Sequence, residues 1–276
     1  MTMRKLGIVA GAGELPKLVM DACQRQGRPY FVMALKGHAN PNLMPPDAVW
    51  VRLGAVGKSF DLAHENGVED VLMIGAVRRP TLSELRPDWK GLKFFAKAGV
   101  KSLGDDGLLT AIIHEIEKDG FHVIGADEIL TDSLSTVGVY GRIKPSKQNK
   151  EDIAKGYSVA KILGQADVGQ SVIVADGLVL GVEAIEGTDA LIKRCRDLHR
   201  SDVKGVLVKV KKPHQERRAD LPTIGVQTLE NAAASGLAGV AVEKQSAFIV
   251  NKEAVIDKAN ALGLFLVGVD ETCQNL

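Results

Sequence analysis

One phrase recurs along this chain and fixes its fold class: the end of a helix-patterned run, a glycine, then a short apolar strand. It stands at Gly27 before YFVMAL, Gly67 before VEDVLMIGAV, Gly120 before FHVIGA, Gly236 before LAGVAVE and Gly263 before LFLVGVD. Glycine just past a helix accepts the left-handed backbone that ends it, without a Cβ penalty. The strands behind it are apolar on both faces, as strands are when helices cover a parallel sheet from both sides. Such units in alternation predict an α/β chain with a largely parallel sheet. In open sheets of this kind ligands bind beyond the carboxyl ends of the strands. That rule selects residues 11–15, 54–58 and 75–79.

The pattern breaks once. Residues 130–150, containing TDSLSTVGVYGRIKPSKQNK, hold no sustained apolar periodicity and are rich in Gly, Pro and Ser. With 276 residues to divide, this is the expected boundary between an N-terminal domain over 1–132, a linker over 133–149 and a C-terminal α/β domain over 150–276. The three cysteines, Cys23, Cys195 and Cys273, are odd in number, far apart and without a CxxC pair. That favours a reducing compartment and buried thiols over disulfides or zinc. MTMRKLGIVAGAG imitates a signal peptide, but Glu14, Pro16 and Lys17 interrupt the apolar run, so a first strand and a cytoplasmic protein are expected.

At the first strand end, Gly11, Ala12, Gly13 and Leu15 precede a helix. Backbone N–H groups there can receive a phosphate, and a tight strand-to-helix turn accounts for the same glycines. GxGxxG is incomplete and no GKS or GKT follows, so neither a dinucleotide fingerprint nor an ATPase loop is present. The second strand end places Lys58 at a helix entry, and the third carries Gly75, Ala76 and Val77 ahead of Arg78, Arg79 and Pro80. Residues 81–104, with Trp89, Phe94 and Phe95 among lysines, read as an amphipathic lid or a packed helix. In GDDGLL, Asp105 and Asp106 read as helix caps, an acidic pair being also able to steer a metal.

The C-terminal half carries two denser patterns. Residues 171–184 read as a hairpin turning at Asp176-Gly177. They run into Glu183, Glu186, Thr188 and Asp189, where alternation places Glu183 and Ile185 on one face and Thr188 is a natural N-cap. Three carboxylates in seven residues can hold Mg²⁺ through one or two direct contacts, water and phosphate completing the octahedron. Further on, a strand (Val206, Val208, Val210) runs into Lys211-Lys212-Pro213, then Arg217, Arg218 and Asp220. The proline ends the strand and delivers these cations onto a loop. A net charge of only +1 points the loop at a small anion rather than at nucleic acid.

Taken in order, LGIVAGAGELP, GAVRRP, GDDGLL, GQSVIVADGLVLGVEAIEGTD, KKPHQERRADLPTIG and GLAGVAVE resemble the LpxI family of UDP-2,3-diacylglucosamine pyrophosphatases. The match spans nearly the whole chain, and the EGTD and KP-x-Q-x-R-x-x-DLP-x-x-G phrases are its specific parts. His214 departs from that pattern, and Arg217 and Arg218 compete for one role in it. The resemblance implies a Rossmann-like N-terminal domain, a C-terminal catalytic domain and a lipid held between them. It also implies cytoplasmic, Mg²⁺-dependent hydrolysis of the UDP-2,3-diacylglucosamine diphosphate to UMP and lipid X in lipid A biosynthesis. Peripheral contact with the inner membrane and a homodimer are further expectations, separate from the resemblance.

Diphosphate hydrolysis spreads charge over phosphoryl oxygens, so positioning and cationic stabilisation dominate. Lys211, Lys212 and Arg217 are then expected to clamp the diphosphate. Asp220, Asp189 and Glu186 are expected to bind Mg²⁺ or orient water, with Asp220 leading and Glu183 a further candidate ligand. Thr188 and the N-terminal loops (Gly11, Ala12, Gly13, Leu15, Lys58, Gly75, Ala76, Val77) are expected to hold substrate. A nucleotide-sugar or lipid-phosphate binding protein without turnover is the alternative. A Rossmann oxidoreductase is disfavoured by the failed GxGxxG spacing.

Overall fold

The computed structural model describes residues 3–78, 86–98, 105–198 and 203–274. The chain forms two compact units: residues 1–131 with 216–220, and residues 132–215 with 221–276. In the first unit the elements follow as β1 (Leu6–Ala10), α1 (Leu15–Gln26), β2 (Tyr30–Leu35), β3 (Val49–Val51), α2 (Val56–Glu65), β4 (Asp70–Ile74), α3 (Trp89–Ala98), α4 (Asp105–Lys118) and β5 (His122–Val123). The sheet order is β3-β2-β1-β4-β5 and every pairing is parallel. β1 therefore lies between β2 and β4, where the strand order reverses, and the loops after β1 and β4 meet there.

Those two loops are zipped together. Ala12 and Ala76 exchange N–H···O bonds of 2.8 and 3.0 Å, and the Gly11 N–H donates to the Ile74 carbonyl at 2.8 Å. A Cβ on Gly11 would lie 2.7 Å from the Gly75 carbonyl oxygen, and one on Gly75, at φ +95°, would lie 2.6 Å from that of Ala12. Close backbone approach explains both glycines, and the N–H groups of Gly11 and Ala12 are engaged inside the protein. The unit's core joins Met33, Val51, Val68, Ile113, Ile116 and Phe121, with Ala219 from the far end of the sequence packed against it.

In the second unit the elements are β6 (Gly138–Val139), α5 (Lys147–Gln165), β7 (Ser171–Ala175), β8 (Leu178–Val182), α6 (Thr188–Arg194), β9 (Val206–Lys209), β10 (Thr223–Ile224), α7 (Val226–Ala234), β11 (Gly239–Glu243), β12 (Phe248–Ile249), α8 (Lys252–Leu262) and β13 (Phe265–Val269). The six-stranded sheet runs β6-β13-β11-β9-β7-β8. Its centre, β13-β11-β9, is parallel, while β6, β7 and β8 are antiparallel to their neighbours. α5 covers one face through Ile153, Tyr157 and Ala160. α6, α7 and α8 cover the other through Leu191, Ile192, Leu229, Ala232, Val255 and Ala259. The central strands are buried on both sides, as their continuous apolar sequence requires.

The glycine punctuation is real: Gly27, Gly67, Gly120, Gly236 and Gly263 all hold positive φ, between 62° and 98°. The hairpin turns at Asp176-Gly177, φ 50° and 72°, and its two N–H groups donate to the buried Asp152 carboxylate at 3.1 and 2.7 Å. The 133–149 stretch, expected as a linker, contributes β6 to the second sheet and the Ser146–Asn149 capping box of α5. Cys23, Cys195 and Cys273 are free thiols, the first two buried. Arg79, Pro80, residues 81–85 and 99–104, and the side chains of Phe94, Phe95, Asp105 and Asp106 lie outside the described residues. Trp89 is 69 % exposed, with the Lys93 ammonium 4.9 Å over its ring. Among the described residues no helix is long and apolar enough to cross a membrane.

Candidate active site

The acidic turn after β8 is built differently from strict alternation. β8 ends at Val182, and the Gly187 N–H closes a turn on the Ala184 carbonyl at 3.2 Å. Glu183 is consequently 6 % exposed and Ile185 fully exposed, rather than both on one face. Gly187, at φ 80°, occupies the cap of α6, and Thr188, expected there, is the first helical residue. Its hydroxyl donates to Glu183 Oε1 at 2.7 Å instead. Glu183 Oε2 accepts the Gln170 N–H at 3.2 Å, so both its oxygens have partners within the unit.

The same hydroxyl accepts from Lys209 Nζ at 2.9 Å. Lys209 ends β9, is 7 % exposed, and donates again to the Thr223 carbonyl at 3.1 Å. Glu186, Thr188, Asp189, Lys209, Thr223 and Thr228 line a cavity of about 270 Å³. Glu186 is paired with Arg194 at 2.8 Å. Its carboxyl is held below the ordinary value, first by a backbone hydrogen bond and then by that guanidinium. Asp189 accepts from Asn231 Nδ2 at 2.9 Å through Oδ1.

The basic run divides. Lys211 and Lys212 stay with the second unit, whereas residues 216–220 pack with the first. The Lys211 peptide is gripped from both sides: its N–H donates to Glu243 Oε2 at 2.8 Å and its carbonyl accepts from Lys161 Nζ at 2.9 Å. Lys161 is ion-paired with the same Glu243 at 2.7 Å, and Tyr157 donates its hydroxyl to it at 2.9 Å. Burial, reinforced by that bond, pushes the Tyr157 hydroxyl's pKa up. Lys212 Nζ meets Asp167 at 2.6 Å. Arg217 meets Asp127 at 2.9 Å, and Arg218 meets Glu117 at 2.6 Å and Glu216 at 3.0 Å. The structure thus ties the two arginines to different acids, and His214 is exposed. The Asp220 N–H closes the segment on the Glu216 carbonyl at 3.1 Å.

Elsewhere, Lys58 is exposed in the first turn of α2, whose backbone N–H bonds Asp88 at 3.2 Å. Gly13, Ala76 and Val77 are exposed, and Leu15 opens α1. Lys209, Lys161, Tyr157 and Glu243 are contributors that sequence reasoning missed. For Lys209 and Glu243 a signal existed, a charged residue closing an otherwise apolar strand.

Mg²⁺ is held by one or two carboxylates, with water and substrate phosphate completing its octahedron. Among the described residues no group of three or more His, Cys, Asp or Glu is placed to hold a metal unaided. Asp189 fits the sparser mode: it lines the cavity, and its Oδ2 has no hydrogen-bond partner among the described residues. Glu183 would have to exchange an internal bond to serve.

Fold and cavity define a two-unit α/β protein with a polar cavity at the end of β9 in its second unit. Family models describe both halves: the LpxI N-terminal domain over residues 5–133 and the LpxI C-terminal domain over residues 136–267. The chain belongs to the LpxI family. It is 42 % identical over 275 residues to the UDP-2,3-diacylglucosamine pyrophosphatase LpxI of Caulobacter vibrioides, covering 97 % of this chain and 98 % of that protein. Among solved structures, precorrin-6A reductase CobK overlays 97 % of this chain and 88 % of its own, at 12 % identity and TM-score 0.34. A UDP-glucose 4-epimerase from Thermotoga maritima overlays 51 % and 42 %, at 14 % identity and TM-score 0.27. Overlays this loose carry no argument.

Proposed function

We propose that this protein hydrolyses the diphosphate of UDP-2,3-diacylglucosamine to UMP and 2,3-diacylglucosamine 1-phosphate, lipid X, in lipid A biosynthesis. The observation that carries this is the end-to-end relation to a named pyrophosphatase, 42 % identical over 97 % of the chain. The second unit adds a polar cavity with a buried lysine and an available carboxylate, the elements that phosphoryl chemistry uses.

Asp220 is the leading catalytic carboxylate and orients the attacking water. Lys211, Lys212 and Arg217 clamp the diphosphate, Lys212 and Arg217 exchanging Asp167 and Asp127 for phosphoryl oxygens. Glu186 and Asp189 shape the acidic side of the cavity. Asp189 and Asp220 are the carboxylates offered to Mg²⁺, which when bound polarises phosphoryl oxygens and lowers the pKa of water. Water attacks the β-phosphorus, UMP leaves, and the new oxygen ends in lipid X. The loops at Gly11 to Leu15, Lys58 and Gly75 to Val77 contact nucleotide or sugar. The protein works in the cytoplasm, at the inner face of the membrane that supplies its lipid substrate.

Incubation with UDP-2,3-diacylglucosamine and Mg²⁺ is expected to release UMP, with ¹⁸O from labelled water appearing in lipid X. Tight binding of the intact substrate without UMP release would make the protein a binder instead. Asp220→Ala is expected to lower kcat by roughly 10²–10³-fold. Full turnover by that variant removes Asp220 from the mechanism.

A further inference from the structure

Lys209 is the most confined cation around the cavity. Its side chain is sequestered at the end of β9, and an ammonium has three donors. One goes to Thr188 Oγ1 at 2.9 Å and one to the Thr223 carbonyl at 3.1 Å. The third has no acceptor among the described residues, and Lys209 lines the cavity. Nor does it form an ion pair among the described residues. Glu183 is linked to it through the Thr188 hydroxyl, which accepts from Lys209 and donates to Glu183. The two carboxylates that line the cavity bond elsewhere, Glu186 to Arg194 and Asp189 Oδ1 to Asn231, and among the described residues neither forms an ion pair with Lys209.

A buried charge without a direct counter-charge is costly to maintain. Such a group is explained when a ligand supplies the opposite charge. The cavity of about 270 Å³ has room for a phosphoryl group and presents threonines beside the ammonium. Thr188 is poorly free to bind that group itself, since its single proton goes to Glu183 and a lone pair receives Lys209. Glu183 and Thr188 thereby fix the lysine, and the lysine faces the ligand.

We propose that Lys209 is a binding residue for the substrate, donating its third N–H to an anionic phosphoryl oxygen in the cavity beside the EGTD turn. This rests on the diphosphate hydrolysis proposed above, and it adds a cation that lies outside the Lys211 to Arg217 run. Glu183 and Thr188 become positioning residues that aim the ammonium.

The test uses the full chain and inorganic pyrophosphate as probe. Pyrophosphate is expected to raise the melting temperature of the wild type and of Lys193→Met, which alters an exposed lysine in the last turn of α6. Lys209→Met, of similar length but uncharged, is expected to lose that rise, and its KM for UDP-2,3-diacylglucosamine to increase about tenfold or more. An unchanged rise and an unchanged KM in Lys209→Met overturn the proposal, as does a wild type that pyrophosphate does not stabilise at all. If Lys209→Met fails to fold, the wild-type ¹⁵N ammonium signal of Lys209, identified by its proximity to the Thr188 methyl, provides the readout. It is expected to move on pyrophosphate titration, and a stationary signal overturns the assignment. Absence of UMP release by a wild type that still binds pyrophosphate through Lys209 would overturn the proposed reaction and leave the anion site standing.

Discussion

At the scale of single residues, burial decides how the charged and thiol groups behave. The three cysteines carry no disulfide, and burial raises each thiol's pKa, Cys273 to about 11. A folded-state pKa above the unfolded value of 9.0 means that the native chain keeps its proton longer than the unfolded chain. Stability from this source is complete below pH 9 and is lost as pH rises toward 11. The urea midpoint is therefore expected to fall between pH 8.5 and about 10.5, and by less in Cys273→Ala; equal falls in the two proteins would show that the thiol contributes nothing. Lys209 shows the opposite side of the same physics. Its sequence context, VLVKV, shows a charge closing an apolar strand, but it does not show that the ammonium is folded inward. Only Thr188 and Thr223, 21 and 14 positions away, reveal its place.

At the scale of elements, much was legible because the deciding information is local. Five glycines marked the helix ends, and each holds a left-handed backbone. Asp176-Gly177 marked the hairpin turn for the same reason. The support of that turn was not legible, because Asp152 lies on α5, more than twenty residues earlier. Asp152→Ala leaves two turn N–H groups without their carboxylate and is expected to cost about 2–3 kcal/mol in a urea unfolding titration. Asp152→Asn, which keeps one acceptor oxygen, is expected to cost less. The mixed direction of the second sheet was hidden too. β6 and the β7–β8 hairpin are apolar like their parallel neighbours, and strand direction depends on connections rather than on composition. Alternation misread the acidic turn because β8 stops at Val182, one residue before the pattern would have placed Glu183.

At the scale of the whole molecule, the boundary near residue 131 was visible in composition, but membership of residues 216–220 was not. Their sequence, ERRAD, reads as a continuation of the basic loop. Its anchors, Asp127, Glu117 and the apolar cluster that receives Ala219, sit about a hundred residues upstream. The family resemblance supplied the substrate, which no periodicity contains. Replacing residues 216–220 by Gly-Ser-Gly-Ser-Gly is expected to lower hydrogen-exchange protection of amides in β1 and β4 while β11 and β13 keep theirs. Unchanged protection in β1 and β4 would mean that the segment is a passenger on the first unit.

That segment also sets a clock. The first unit leaves the ribosome without five of its residues, and residues 132–215 must be synthesised before they follow. At about 5–20 residues per second, the delay is roughly 4–17 s. During that interval the patch beneath Ala219, with Asp127 and Glu117 beside it, is uncovered on a nascent chain. The newborn first unit is thus exposed to chaperones and proteases in a form the finished protein never presents, and the basic segment acts late, as the latch that ends this window.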